Sequence, residues 1–372
     1  MERSCWFLKS KYRVILDEIT TKIENGTYLP GDMIPTESDI ATLYGASRTT
    51  VQRALNILVS KGTIYRVAGK GSFITDKPMP SQSPHGNGDR TFALLLPNHS
   101  QECILYAKGA QAYLEKNDYR LTTHFIEKHY ENAISEINTL LDGGCPGIIL
   151  YPMSSEDRDG FFRRLALRET PIVTIDKEIS GSLISSVASN NYMGAYSLAR
   201  HLIACGYTDF VYISNSFSAA NTLADRFRGF SECLSDMGIA MPDGNVITIM
   251  PTSDNEAVEL IKQYFTDHPR KVPFVSFCAH DRIASNAYHA AYELNLKIPE
   301  NLSVVGFDDL EIAAMLYPAL TTVAQPFFEI GRNAAKILLR SYEKRDTTTY
   351  HIRLPTPMII RNSVADLRSH TK

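Results

Sequence analysis

The chain has no Cys-x-x-Cys pair, no long apolar run and no strong charge of either sign. Its six cysteines, Cys5, Cys103, Cys145, Cys205, Cys233 and Cys278, are scattered. That spacing speaks against a zinc site or a disulfide framework and for inert thiols in a reducing compartment. No stretch approaches membrane-spanning length, and the start, 1–11, lacks the apolar core of a signal peptide. A cytoplasmic protein is expected. A formal net charge of −3 excludes a grossly basic polyanion binder, so any nucleic-acid footprint must be local. Catalytic signatures are missing too. There is no Gly-x-Ser-x-Gly elbow, no His-Glu-x-x-His and no Gly-x-Gly-x-x-Gly. Gly69-Lys70-Gly71-Ser72 has the wrong order for a phosphate-binding loop. Neither enzyme activity nor a cofactor or metal is expected.

With 372 residues, the chain is too long for one ordinary core, and two domains are expected. The boundary shows at 77–90, where three Pro, two Gly and two Ser in fourteen residues make a linker. The residues before it, 1–76, contain ten Lys/Arg and eight Asp/Glu. A balance of only +2 suits a weak monomeric contact strengthened by dimerisation.

Within 1–76, Val14, Ile15, Ile19 and Ile23 repeat at helical spacing. Thr36 can cap a second short helix and Gly45 can end it in a left-handed conformation. Ser47 can cap a third, in which Val51, Ala54, Leu55 and Leu58 form one buried stripe. Arg48, Thr49, Gln52 and Arg53 lie off that stripe near its N-terminal end. A recognition helix presents side chains to the major groove from there. Two strands, 63–67 and 72–75, follow around Gly69-Lys70-Gly71 as a hairpin tip.

Helix, turn, helix and hairpin make a winged helix-turn-helix. Ile34-Pro35-Thr36-Glu37, Ser47-Arg48-Thr49-Thr50-Val51 and Gly69-Lys70-Gly71-Ser72-Phe73 resemble the motifs of the GntR family of bacterial regulators. The resemblance implies that Arg48, Thr49 and Thr50 contact DNA and that Gly69 approaches the minor groove. Ser38 and Gln52 depart from the usual family residues, although Gln reads adenine through two bonds. The candidate DNA-contacting set is Thr36, Glu37, Ser47, Arg48, Thr49, Thr50, Gln52, Arg53, Gly69 and Lys70. Lys70 is expected on phosphate, which positions without specifying.

From Thr91 the pattern changes. Phe92 to Pro97 is a continuous apolar run, the mark of a strand buried on both faces. Strands at 121–126, 146–150 and 171–176 alternate with helices at 104–117, 133–141 and 157–168. The alternation restarts with a helix at 191–205 and strands at 210–214, 246–250, 274–278 and 302–307. Helices at 224–237, 256–267, 282–294 and 327–341 lie between or after them. Such βαβ repetition predicts α/β architecture with parallel sheets, here as two successive lobes with a ligand cleft between them.

Asn190-Asn191-Tyr192-Met193-Gly194, Arg226-Phe227-Arg228-Gly229-Phe230, Asp281-Arg282-Ile283-Ala284, Val304-Val305-Gly306-Phe307-Asp308-Asp309 and Leu320-Thr321-Thr322-Val323-x-Gln325-Pro326 occur in order. They resemble the effector domain of the LacI family, itself similar to periplasmic sugar-binding proteins. A GntR-type reader joined to such a sensor resembles the arabinose-type sugar regulators. The resemblance implies effector contacts from Arg226, His280, Asp281, Asp308, Gln325, Asp176, Lys177, Asn98, His99 and Tyr106. Independently, Asp176, Asp281 and Asp308 follow predicted parallel strands, where open α/β sheets bind ligands. Carboxylates accept from sugar hydroxyls and Arg donates in a fork.

The expected organisation is a DNA-binding domain at 1–76, a linker at 77–90 and an effector and dimerisation domain at 91–372. The expected function is a homodimeric, operator-binding repressor controlled by a small polar effector such as a pentose or deoxyhexose. A sugar-acting enzyme and a regulator sensing a nucleobase-type ligand are the alternatives.

Overall fold

The computed structural model describes residues 11–60, 63–67, 71–75, 90–126, 130–157, 159–167, 170–215 and 221–370. Two compact units emerge, Met1–Arg90 and Thr91–Lys372. The expected linker falls almost wholly outside the described residues, as do the DNA-contact candidates Gly69 and Lys70.

The first unit packs α1 (Lys11–Glu24), α2 (Glu37–Tyr44) and α3 (Arg48–Ser60) against the antiparallel pair β1 (Ile64–Val67) and β2 (Gly71–Ile74). Thr36 and Asp39 form a reciprocal capping box at the start of α2, and Gly45 ends the helix with φ 54°. Ser47 Oγ accepts from the Thr50 N–H at 3.2 Å at the start of α3. The stripe Val51, Ala54, Leu55 and Leu58 meets Ile15, Ile19, Ile34 and Ile40 in one core, closed by Ile64 and Ile74 from the strands.

The second unit begins with β3 (Thr91–Leu96), α4 (Gln101–Glu115), β4 (Arg120–Phe125), α5 (Tyr130–Asp142), β5 (Ile148–Leu150), α6 (Phe161–Ala166), β6 (Ile172–Ile175) and β7 (Ser185–Ser189). The chain then passes into a second lobe. That lobe contains α7 (Asn191–Ala204), β8 (Phe210–Ser214), α8 (Asn221–Asp236), β9 (Val246–Thr248), α9 (Asp254–Asp267), β10 (Phe274–Cys278), α10 (Asp281–Glu293), β11 (Leu302–Val305), α11 (Glu311–Met315) and β12 (Thr322–Val323). It returns through α12 (Phe327–Lys344) and β13 (His351–Leu354) to the first lobe. A last crossing leads to β14 (Met358–Ile359), which pairs with β12.

Both main sheets are parallel, in the orders β13-β7-β6-β5-β3-β4 and β11-β10-β8-β9 among the described residues. The inner strands of each are buried on both faces. Phe92, Leu94 and Leu96 of β3 join α4 and α12 on one side, while Ala93 and Leu95 join α5 and α6 on the other.

The expectation of two lobes in strict succession is corrected. Helix α12 belongs to the first lobe, where Ile330, Ala334 and Leu338 pack with Tyr106, Ala110 and Leu114 of α4. The crossing is close enough to require glycine. A Cβ on Gly331 would lie 2.0 Å from the Tyr106 carbonyl oxygen, and one on Gly109 would lie 1.9 Å from that of Phe328. The helix expected over 157–168 is also shorter. The Asp157 carboxylate accepts from the Phe162 and Arg163 N–H groups at 3.0 Å, and Gly160 adopts φ 65°, so helix starts only at Phe161.

Candidate functional site

On the first unit, the helix-turn-helix leaves Arg48, Thr49 and Gln52 exposed, with Thr50 half-buried. Ser47 bonds through its hydroxyl to both Thr49 and Thr50. Thr36 is committed to its cap. Arg53 turns back, with its guanidinium 4.2 Å from the centroid of the Tyr12 ring on α1. Glu37 ties two elements together. One oxygen accepts from Gln52 Nε2 and the other from Arg66 Nη2, each at 3.1 Å. Arg66, exposed on β1, is therefore tied to the same face.

In the second unit, the strand ends of the two lobes face one another. Gln101 Oε1 at the start of α4 accepts from the Glu311 N–H of the opposite lobe at 3.1 Å. Arg226 on α8 is only 4% exposed. Its Nε donates to Asn191 Oδ1 at 2.8 Å and its Nη1 to the Ala279 carbonyl. The same Nη1 lies 3.1 Å from Asp308 Oδ1, and the guanidinium covers the Phe307 ring at 4.0 Å. Asp308 in turn accepts from Gln325 Nε2 at 2.6 Å. Asn191 and Gln325 both lie where the chain crosses between lobes, so the Arg226–Asp308 pair is held from two of the crossings.

From the first lobe, Asp176 follows β6 in a left-handed conformation, φ 68°, and accepts from the Tyr106 hydroxyl at 3.3 Å. Lys177 sets its ammonium 4.9 Å from the centroid of the Tyr151 ring. Burial and the neighbouring Asp176 carboxylate push both the Tyr106 and Tyr151 phenols well up, which keeps them neutral donors. A small polar cleft adjoins Asp176. Glu178, Ser189 and His351 line it from the first lobe, and Asn191, Thr222 and Asp225 from the second.

Burial raises the Asp308 carboxyl above the ordinary range; Arg226 and Gln325 oppose that shift, while Glu102 and Asp176 add to it. Asp281 is raised as well, first by burial and then by Asp308.

Several of the expected ligand residues are engaged in the packing of their own lobes. Asp281 is 0% exposed, with Oδ2 accepting from the Leu310 N–H at 2.8 Å and Oδ1 from the Thr322 hydroxyl at 2.6 Å. His280 caps α10, its Nδ1 accepting from the Ile283 N–H at 3.3 Å. The Nε2–H is then left to donate to Asn215 Oδ1 at 2.7 Å. Burial and the nearby guanidinium groups push this imidazole down to about 3. Asn98 Oδ1 accepts from the Ser100 N–H, and the His99 ring lies on Phe125 with centroids 3.5 Å apart.

The structure therefore brings Arg226, Asp308 and Gln325 together and sets Asp176 and Tyr106 opposite them. Sequence reasoning did not single out Asn191, Tyr151, Glu102, Asn215 or Asp225 as site residues. Asn191 stood inside a recognised motif, and Asn215 just past a predicted strand end. Among the described residues, no group of three or more His, Cys, Asp or Glu side chains is placed to hold a metal ion, and no helix is long and apolar enough to cross a membrane.

Comparison with known proteins matches a segment within each of the two units. Residues 11–74 match the model of bacterial regulatory proteins of the gntR family, and residues 199–364 match that of the periplasmic binding protein-like domain. The arabinose metabolism transcriptional repressor of Halalkalibacterium halodurans is 26% identical over 373 residues, covering 97% of this chain and 98% of that protein. The ribose operon repressor of Bacillus subtilis is 27% identical over 335 residues, covering 88% and 98%. Among solved structures, a LacI family transcriptional regulator from Enterococcus faecium with bound ribose shares the fold. Its TM-score is 0.64 at 23% identity, covering 74% of this chain and 99% of that one.

Proposed function

We propose that this chain, which joins a GntR-type helix-turn-helix to a periplasmic-binding-protein-like domain of the LacI type, is a transcriptional repressor released from its operator by a monosaccharide. The observation that carries the reading is the buried Arg226–Asp308–Gln325 cluster between two lobes, in the same chain as an exposed recognition-helix face at Arg48 and Gln52. The names of the full-length relatives support it, being repressors of arabinose metabolism and of a ribose operon.

In this reading, Arg48, Thr49, Thr50 and Gln52 contact an operator, and Gly69 and Lys70 take the wing to the adjoining groove and backbone. The chain acts as a homodimer on a two-fold site. Arg226, Asp308, Gln325 and Asp176 hold the sugar, with Tyr106 and Lys177 beside them and His280 and Asp281 behind. Asn98 and His99 border the mouth. An effector lowers DNA affinity only through different affinities for the open and closed lobes, so closure is coupled to the separation of the two DNA-binding units.

The test is an operator selected from random DNA with the full chain, followed by titration of pentoses and deoxyhexoses against the complex. Release by one sugar at concentrations that leave non-specific DNA binding unchanged supports the proposal. Selection of a sequence that no sugar releases removes the sugar from it and leaves the DNA reader. Turnover of a sugar would instead restore the enzyme alternative.

A further inference from the structure

We infer that the interlobe site takes an uncharged, hydroxyl-rich ligand and excludes the phosphorylated and carboxylated forms of the same sugar. The inference rests on the effector-binding reading and adds to it a rule of charge.

The cations bordering the site already face partners. Arg226 meets Asp308 at 3.1 Å, Lys177 lies over the Tyr151 ring, and Arg353 meets Asp225 at 3.6 Å. Both guanidinium groups are thus already paired with carboxylates before any anion arrives. An incoming anion finds instead a concentration of carboxylates. Asp308 lies within electrostatic reach of both Glu102 and Asp176, which come from the opposite lobe. Glu102 sits one turn before Tyr106 on α4, and Asp176 accepts from the Tyr106 hydroxyl.

Two acceptors bordering the site are left without donors. Gln325 is 9% exposed; its Nε2 is fixed by the carboxylate of Asp308, which leaves Oε1 at the other end of the amide with no partner. Glu102 Oε2 is likewise buried without a donor. Buried acceptors without donors are costly, and the cost is relieved by a ligand that brings hydrogens. Sugar hydroxyls donate and accept. A phosphate dianion or a carboxylate brings acceptors alone and sets its charge against charges of the same sign.

Isothermal titration of the full chain tests this with L-arabinose, D-ribose, D-xylose, D-galactose and L-fucose, each beside its aldonate and, where one exists, its terminal phosphate. Any sugar that binds should bind at least ~100-fold more tightly than its anionic forms. In Glu102→Gln the ratio between sugar and phosphate should narrow by about tenfold, because one opposing charge is gone. A phosphate or aldonate that binds as well as its parent sugar overturns the rule while leaving an effector site in place. An unchanged ratio in Glu102→Gln assigns the exclusion to shape and overturns the charge argument. Failure of every compound to bind overturns the effector reading itself, and this inference with it.

Discussion

Arg353 on β13 reaches across the gap between the lobes to Asp225 on α8, Nη1 to Oδ2 at 3.6 Å. Asp225 also holds Arg228 of its own helix at 2.9 Å. The Arg353 side chain is half-exposed, so solvent screens the pair and its contribution to stability stays below ~1 kcal/mol. Lobe closure is a finer balance than unfolding, and a contact made only when the lobes approach biases it directly. Arg353→Ala should therefore leave the melting temperature within ~2 °C. It should enlarge the ligand-free radius of gyration in small-angle scattering and weaken effector binding a few-fold. An unchanged scattering profile would mean that other contacts hold the lobes.

Arg226 is the costliest residue of the site to remove. Without it, the largely buried Asp308 carboxylate keeps Gln325 as its side-chain donor, with Glu102 and Asp176 adding like charge. Breaking a buried pair from one side costs about 3–5 kcal/mol. The cost applies where the carboxylate would be charged. Asp308 is already raised above its ordinary range with Arg226 present, and rises further without it. Arg226→Ala should thus lose about 3 kcal/mol in urea unfolding at pH 8, lose clearly less at pH 5, and bind no effector at either pH. Equal losses at both pH values would show that Asp308 is not the group left stranded.

His280 gives the second unit an acid sensitivity with a defined sign. Its folded value, about 3, lies below the ordinary value of 6.5, so the unfolded chain takes up the proton first. Stability is then present above pH 6.5 and is lost as pH falls towards 3, by roughly 1–2 kcal/mol at pH 5. Asp281 and Asp308, both raised, act in the opposite sense, losing stability as pH rises above the usual carboxylate range. His280→Asn keeps an N-cap acceptor for α10 and the same two carboxylates. The difference between the two proteins therefore isolates the imidazole. Melting curves from pH 7 to 5 should fall less steeply for the variant; parallel curves would place the imidazole in a solvated setting.

The glycine crossing of α4 and α12 links the core to the site. The Gly331 position presses on the backbone carbonyl of Tyr106, whose hydroxyl serves Asp176. A Cβ at 2.0 Å from a main-chain oxygen cannot be absorbed by rotating a side chain, so the helices must part. Gly331→Ala should cost at least about 2 kcal/mol and weaken effector binding together with stability. A variant as stable as the parent would show that the crossing is looser than its geometry.

Elements whose burial is written locally were legible in the sequence. The run Phe92 to Leu96 is buried throughout, and Thr36, Gly45 and the stripe on α3 do what their residue types predict. Strand β7 was not legible, because Ser185, Ser186 and Ser189 are polar yet buried. Ser185 and Ser186 are satisfied by Tyr350 and His351, some 165 residues away. The return of α12 to the first lobe was hidden for a related reason, since helical periodicity names a buried face but not the sheet it covers. A position past a strand end placed Asp281 after β10 but could not tell which way its carboxylate turns. It turns inward, to Leu310 and Thr322. The partnership of Asn191 with Arg226 spans 35 residues and leaves no local pattern.

The exposed face of the helix-turn-helix carries a restraint of its own in Glu37. With one oxygen on Gln52 and the other on Arg66, this carboxylate holds a base-reading candidate and a cation together, and places a negative charge where phosphates are expected. Arg48→Ala with Gln52→Ala should remove operator preference, a loss of ~100-fold or more, since each good base contact contributes about 1–3 kcal/mol. Effector binding should be untouched. Glu37→Gln should act oppositely on non-specific DNA. It frees Arg66 for a phosphate, so affinity rises several-fold at low salt and the slope of log K against log salt steepens by about 0.9. Fluorescence anisotropy on operator and scrambled duplexes at two or more salt concentrations separates these outcomes. Survival of operator preference in the double variant would remove α3 from the recognition role. An unchanged salt slope in Glu37→Gln would mean that Arg66 stays clear of the backbone even when released.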